Sequence, residues 1–238
     1  MIRSSILRLL NNSLNLIYPA RCPVCGGKAD NFATSPICKD CWSKIIPLDE
    51  HCCQICSKPL GAIYMKICAD CLKTKPYYTK VISFTAFEGT IREAIHLYKY
   101  SSITRFADAI SQLMFSLELP EADIMTAVPV TKKRLQERGF NQSLLLARKL
   151  GKRFNIPAHF NLLAKIKETE HQALLKGQER RAALKGAFVT TEKINGQVII
   201  LVDDVMTTGT TINECSKTLI SGGASKVYAI VAANTRKN

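Results

Sequence analysis

The sequence predicts an α/β fold, a parallel sheet flanked by helices, with a small cysteine-rich module ahead of it. Three observations carry that prediction. Residues 198–202 (VIILV) form an apolar, largely β-branched run of the kind buried on both faces of a parallel sheet, and residues 123–130 (DIMTAVPV) form a second. The first run ends in Asp203 and Asp204 and then in a small-residue turn, after which Ile212, Cys215, Leu219 and Ile220 recur at helical spacing. Nine of the ten cysteines precede residue 72, which sets the first third of the chain apart from the rest.

Taken in order, residues 1–20 carry Ile6, Leu7, Leu10, Leu14 and Ile17 at helical spacing, interrupted by Arg8, Asn11, Asn12 and Asn15. An amphipathic packing helix is expected there, because the segment lacks the continuous apolar core of a signal peptide. No apolar run reaches the length of a membrane span, so the expected location is the cytoplasm. The 238 residues are 47% apolar, enough for one large domain and a small appendage.

Residues 21–75 hold four C-x-x-C pairs, Cys22/Cys25, Cys38/Cys41, Cys53/Cys56 and Cys68/Cys71, separated by 12, 11 and 11 residues. Each pair is a knuckle that offers two sulfurs to a tetrahedral ion, and two knuckles close a Cys₄ site. The spacing predicts a double zinc ribbon with two structural Zn²⁺ sites. Consecutive pairing needs only short hairpins, while an interleaved cross-brace satisfies the same spacing. Cys52 competes with Cys53 as a ligand, but only Cys53 keeps the two-residue interval to Cys56, and His51 is a further candidate beside them. A disulfide framework would require an oxidising compartment, for which no secretion signal argues. With little apolar content of its own, such a module takes its folding free energy from the metal, and a chelator is expected to unfold only the first 75 residues.

Pro76 opens the third region, residues 76–238. A strand is expected over 80–87 toward a sheet edge, then a helix that delivers Lys99 and Tyr100, a second helix over 103–117, and a buried strand of the parallel sheet over 123–128. After it the chain turns basic in a loop: Thr131, Lys132, Lys133, Arg134 and Arg138 follow Val130 at the carboxyl end of a strand, where open α/β sheets bind ligands. A helix is expected over 143–154, and strands over 198–202 and 226–233 complete the sheet. At the end of strand 198–202 lie Asp203 and Asp204, then Thr207, Thr208, Gly209, Thr210 and Thr211 at a helix N-terminus. Unpaired backbone N–H groups there can cradle a phosphate, and paired carboxylates suit hydroxyls. A sugar carrying a 5-phosphate fits both halves.

The stretch VDDVMTTGTT at 202–211 resembles the phosphoribosyl pyrophosphate (PRPP) motif of type I phosphoribosyltransferases. With the paired cysteines, Lys99–Tyr100, the VPV strand and RGFNQ at 138–142, the whole chain resembles the ComF family. The resemblance implies a type I phosphoribosyltransferase-like sheet behind the zinc ribbons. It implies PRPP with Mg²⁺ as ligand, held by Asp203, Asp204 and the Thr207–Thr211 loop, with pyrophosphate toward Val130, Thr131, Arg138 and Lys99. Gln172, Arg180, Gly186 and Phe188 fall on a further family pattern, in which Ala183 replaces the usual Asn. The resemblance also implies a part in natural transformation, with single-stranded DNA or DNA-uptake proteins as partners.

Charge agrees with a polyanionic partner: 33 Lys and Arg oppose 19 Asp and Glu, a formal +14. Eight thiolates on two zinc ions lower that sum only by about four. A purine-salvage reaction of the 6-oxopurine type is disfavoured, since Thr207 stands where those enzymes carry an acid. Transfer of phosphoribose to another amine or base is the alternative to a purely PRPP-gated role.

Overall fold

The computed structural model describes residues 21–49, 51–61, 64–101, 103–168 and 182–235. The N-terminal helix expected over residues 1–20, and Gln172 and Arg180, lie outside the described residues. Two five-residue helices, α1 (Lys39–Ser43) and α2 (Ala69–Lys73), belong to the cysteine module. The remainder runs β1 (Lys80–Ala86), α3 (Gly89–Tyr100), α4 (Phe106–Met114), β2 (Ile124–Ala127), α5 (Lys132–Arg138), α6 (Gln142–Phe154), β3 (Leu163–Lys165), β4 (Phe188–Thr190), β5 (Val198–Met206), α7 (Thr210–Ser221) and β6 (Lys226–Asn234).

Four strands form a parallel sheet in the order β1-β6-β5-β2, with β1 at an edge as expected and β2 at the other edge. Side chains alternate across β5. Ile200 and Val202 face a core built with Ile91, Tyr98, Phe106, Leu146 and Leu150 from the helices α3, α4 and α6. Ile199 and Leu201 face the opposite core with Ile212, Cys215 and Leu219 of α7 and Leu163 and Phe188 of a short antiparallel β3–β4 ribbon. Gly151 sits inside α6 because a Cβ there would come within 2.9 Å of the Ile156 carbonyl oxygen.

Three expectations change. The strand predicted to stop at Val202 continues through the acidic pair to Met206, because β6 stays beside it: Asp203 is opposite Val231 and Met206 opposite Asn234. The basic stretch after Val130 is not a loop but the two-turn helix α5, whose N-cap Thr131 accepts from the Arg134 N–H at 3.3 Å and which stops at Gly139 in the left-handed conformation (φ 78°). The second helix is shorter than the expected 103–117, since Phe106–Met114 alone is α-helical.

The largest correction concerns the cysteine module, which is not a free-standing appendage. Its first half joins the helix-side core through Cys22, Ile37, Cys38 and Cys41, with Trp42 stacked on Phe106 at a centroid distance of 6.0 Å. Its second half joins the α7-side core through Cys53, Cys56, Cys68 and Cys71. The two halves therefore serve opposite faces of one sheet. Metal loss that disturbs them removes parts of both cores, so unfolding confined to the first 75 residues is not what this packing supports.

Candidate functional site

At the carboxyl ends of β2 and β5 the chain leaves an open cleft of about 740 Å³. Its floor is acidic. Asp203 accepts from the Ser143 hydroxyl of α6 at 2.7 Å and from the Asp204 N–H at 2.9 Å. Asp204, only 4% exposed, pairs with the Lys99 ammonium from the last turn of α3 at 2.7 Å. Burial, and then the charge of Asp204, pushes the Asp203 carboxyl up to about 7, against the opposing pull of Lys99 and the Ser143 hydroxyl. Two adjacent carboxylates held this way accept hydrogen bonds from ligand hydroxyls, and Asp203 changes charge near neutral pH.

One wall is basic. Val130, Thr131, Arg134 and Arg138 all line the cleft. The Arg138 guanidinium lies 5.3 Å from the ring centroid of Tyr100 and donates to Gln142 Oε1 at 3.3 Å, so a ring and an amide steer it. Asn141 supports this wall from behind. Its Nδ2 donates to the Val128 carbonyl at 3.0 Å while its Oδ1 caps α6 by accepting from the Leu144 N–H.

The opposite wall is the threonine loop between β5 and α7. Gly209 takes φ 73° ahead of the twelve-residue helix, and Thr208 and Thr210 hydroxyls meet at 2.9 Å. Thr207, Gly209, Thr210 and Thr211 line the cleft. Thr208 does not. It lines a second cavity of about 410 Å³ between the loop and the second cysteine cluster. Of the residues singled out from sequence, then, Lys99, Val130, Thr131, Arg138, Asp203, Asp204 and four of the five loop residues converge on one cleft.

Four polar or charged residues of the cleft were not assigned to the site from sequence: Arg134, Gln142, Ser143 and Lys165. Arg134 lay in the basic run, but nothing in a run of charges says which member turns inward. Ser143 and Gln142 follow the α6 cap, and their spacing to Asp203 exists only across the sheet. Lys165 comes from the β3–β4 ribbon, whose three-residue strands are too short to show a period.

The cysteines form two separate clusters, Cys22/Cys25/Cys38/Cys41 and Cys53/Cys56/Cys68/Cys71, the four sulfurs of each lying within 4.8 Å of one another. Pairing is consecutive. The Cys25–Cys38 and Cys56–Cys68 sulfur separations are both 3.7 Å, close to the tetrahedron edge of about 3.8 Å that Zn–S bonds of about 2.3 Å require. Backbone N–H groups of Cys41 and Cys68 point at Cys38 and Cys53 sulfurs at 3.4 and 3.3 Å. Burial and neighbouring sulfurs push the Cys41 and Cys71 thiols up to about 12, while against burial backbone N–H groups pull Cys22 down to about 6 and Cys53 to about 7, so four thiolates at either place call for a dication. Both clusters fit structural Zn²⁺. Neither Cys52 nor His51 is part of a cluster.

Comparison with known proteins agrees with both halves. Residues 13–72 match the double zinc ribbon domain, and residues 141–238 match the phosphoribosyl transferase domain. Competence protein F of Haemophilus influenzae is 30% identical over 220 residues, which cover 87% of this chain and 93% of that protein. The chain belongs to the ComF family. Within the family, the DNA utilization protein YhgH of Escherichia coli (strain K12) is 29% identical over 201 residues, covering 80% of this chain and 87% of YhgH. Competence protein ComFC of Bacillus subtilis is 26% identical over 197 residues, covering 79% of each chain. Among solved structures, the glutamine PRPP amidotransferase of B. subtilis aligns with 51% of this chain and 25% of its own, at 18% identity and a TM-score of 0.37. On the family pattern carried by the later segment, Phe188 opens β4 and Gly186 precedes it at φ 64°. Among the described residues, no helix is long and apolar enough to cross a membrane.

Proposed function

We propose that the cleft binds PRPP with Mg²⁺, and that the protein acts on that ligand in cytoplasmic DNA uptake or DNA utilization. One observation carries the reading: an acidic floor, a threonine loop at a helix N-terminus and a basic wall share a single cleft. Asp203 and Asp204 take the vicinal ribose hydroxyls. Thr207, Thr208, Gly209, Thr210 and Thr211 enclose the 5-phosphate, Thr208 by closing the turn from behind. The pyrophosphate lies toward Val130, Thr131, Arg138 and Lys99, with Arg134 beside them, where the cations offset its charge. Mg²⁺ belongs with the ligand, since hard oxygen donors are what pyrophosphate and a carboxylate pair supply. The chain divides in this reading into a helix over residues 1–20, a double zinc ribbon over 21–75 and a phosphoribosyltransferase-like domain over 76–238.

The DNA part rests on the competence and DNA-utilization names of the relatives and on the formal charge of +14. Single-stranded DNA or a protein of the uptake machinery is the macromolecular partner. The test is titration calorimetry of PRPP with Mg²⁺ into the full-length protein, followed by a pyrophosphate-release assay with and without single-stranded DNA. Micromolar binding without turnover is expected. Absence of binding overturns the ligand assignment, and pyrophosphate release makes the protein a phosphoribosyltransferase whose acceptor amine or base is then the target.

A further inference from the structure

The threonine loop has two sides. One lines the cleft; the other rests on the second cysteine cluster. Asn234, the last residue of β6 and 1% exposed, donates through Nδ2 to the Cys56 carbonyl at 2.7 Å. In the sheet it stands opposite Met206, the residue before the loop. The next residue, Thr235, donates through its N–H to the Met206 carbonyl at 3.0 Å and through its hydroxyl to the Thr207 carbonyl at 3.0 Å. Two consecutive residues, Asn234 and Thr235, therefore bridge a metal-binding knuckle to the loop backbone through three hydrogen bonds.

Further contacts hold both ends. The knuckle is pinned to β1: the Val81 N–H donates to the Ile55 carbonyl at 2.7 Å and the Ser57 hydroxyl to the Val81 carbonyl at 2.6 Å. Beneath the loop, the buried Tyr78 places its hydroxyl where a Cβ on Gly209 would meet it at 3.6 Å. The Tyr77 N–H donates to Asn213 Oδ1 in the first turn of α7 at 2.8 Å. The first cluster makes different contacts. Its module meets the rest of the chain at Trp42 on Phe106, at the Arg105 bond to the Ser35 carbonyl and at the Leu48 N–H bond to Phe84, all away from the loop.

We infer that Asn234 is a positioning residue that ties the threonine loop to the second Cys₄ centre, so that zinc held by Cys53, Cys56, Cys68 and Cys71 sets the affinity of the cleft. The metal fixes the knuckle, the knuckle fixes the Cys56 carbonyl, and Asn234 and Thr235 transmit that position to residues 206 and 207. The cleft's ligand is taken from the PRPP reading above, on which the affinity arm of the inference rests.

Coupling of this kind is reciprocal: whatever factor zinc confers on ligand affinity, the ligand confers on zinc affinity. The experiment uses the full-length two-zinc protein, with a chelator removing metal, native mass spectrometry counting ions and cysteine alkylation mapping showing which cluster has opened. Saturating Mg²⁺ and PRPP are expected to protect zinc at the second cluster, raising its equilibrium affinity against the chelator at least about fivefold, and to leave the first unchanged. Asn234→Asp, which loses the donor to the Cys56 carbonyl, is expected to abolish that protection and weaken PRPP binding about tenfold while retaining two zinc ions. Equal protection of both clusters, or of neither while PRPP binds, overturns the inference. Hydrogen exchange of wild-type residues 206–211 decides the coupling without any ligand and without relying on the variant folding. Exchange there accelerates after loss of the second zinc and not of the first; unchanged exchange after loss of the second would refute the link. A wild-type protein that ignores PRPP but shows the exchange response refutes the ligand reading alone.

Discussion

The two cysteine clusters have the same ligands, nearly the same spacing and the same predicted metal, yet they are built into different neighbourhoods. The first covers the helix face of the sheet, with Trp42 on Phe106 and Arg105 reaching back to the Ser35 carbonyl. The second covers the other face and abuts β1, the end of β6 and the threonine loop. What differs is not the metal chemistry but what each knuckle's backbone is bonded to. A structural metal site thus acts on stability in one place and on both stability and the cleft in the other.

The strongest way to break this comparison is metal removal. Structural zinc contributes on the order of 10 kcal/mol to folding in small zinc modules. Because both clusters share cores with the sheet, exhaustive chelation is expected to lower the melting temperature of the whole chain. A sheet that keeps its melting transition after zinc is stripped would show that the ribbons merely lean on it.

Next in size, Asp203→Ala combined with Asp204→Ala is expected to eliminate measurable PRPP binding, a loss beyond about 100-fold, or about 2.7 kcal/mol. The double variant stays folded, because burial of the Asp203 charge is itself unfavourable. Calorimetry on a sample with an unchanged circular dichroism spectrum checks it. Phe106→Ala then isolates the first module. It should cost about 3–5 kcal/mol in a denaturant titration while a two-zinc sample retains wild-type PRPP affinity. Weakened binding in that variant would extend cleft coupling to the first module as well.

Arg138→Ala should weaken PRPP binding by about tenfold, in keeping with about 1.5 kcal/mol or more for a charged hydrogen bond, and Arg138→Lys should restore only part of it. The smallest effect is in pH. Asp203 has its pKa raised from 3.8 to about 7 by burial and by Asp204. Its contribution to stability is therefore fully present below the unfolded value and is lost as pH rises from about 4 through 7. Ribose hydroxyls donate to the ionised form, so PRPP affinity should climb over the same upper range and binding near pH 7 should release protons. Calorimetry in buffers of different ionisation enthalpy reads that release, and Asp203→Asn should remove it.

Much of this protein was readable in the chain alone, for a physical reason. Buried parallel strands, helix periodicity, cysteine knuckles and the acidic-pair-to-glycine turn are local patterns, set by backbone geometry within a few residues. Those patterns placed β5, β6, α6 and α7, the eight cysteine ligands though not which knuckles share an ion, and the loop from Thr207 to Thr211. The sequence could not say that β5 runs on through Asp204, because that depends on β6 remaining alongside. It could not show that α5 replaces a basic loop and turns Arg134 inward. Nor could it bring Ser143 to Asp203, Lys99 to Asp204 or Asn234 to Cys56, pairs 60, 105 and 178 residues apart. Those contacts come from chain segments that meet only when the sheet closes and the two ribbons dock on its opposite faces, and tertiary packing alone selects them.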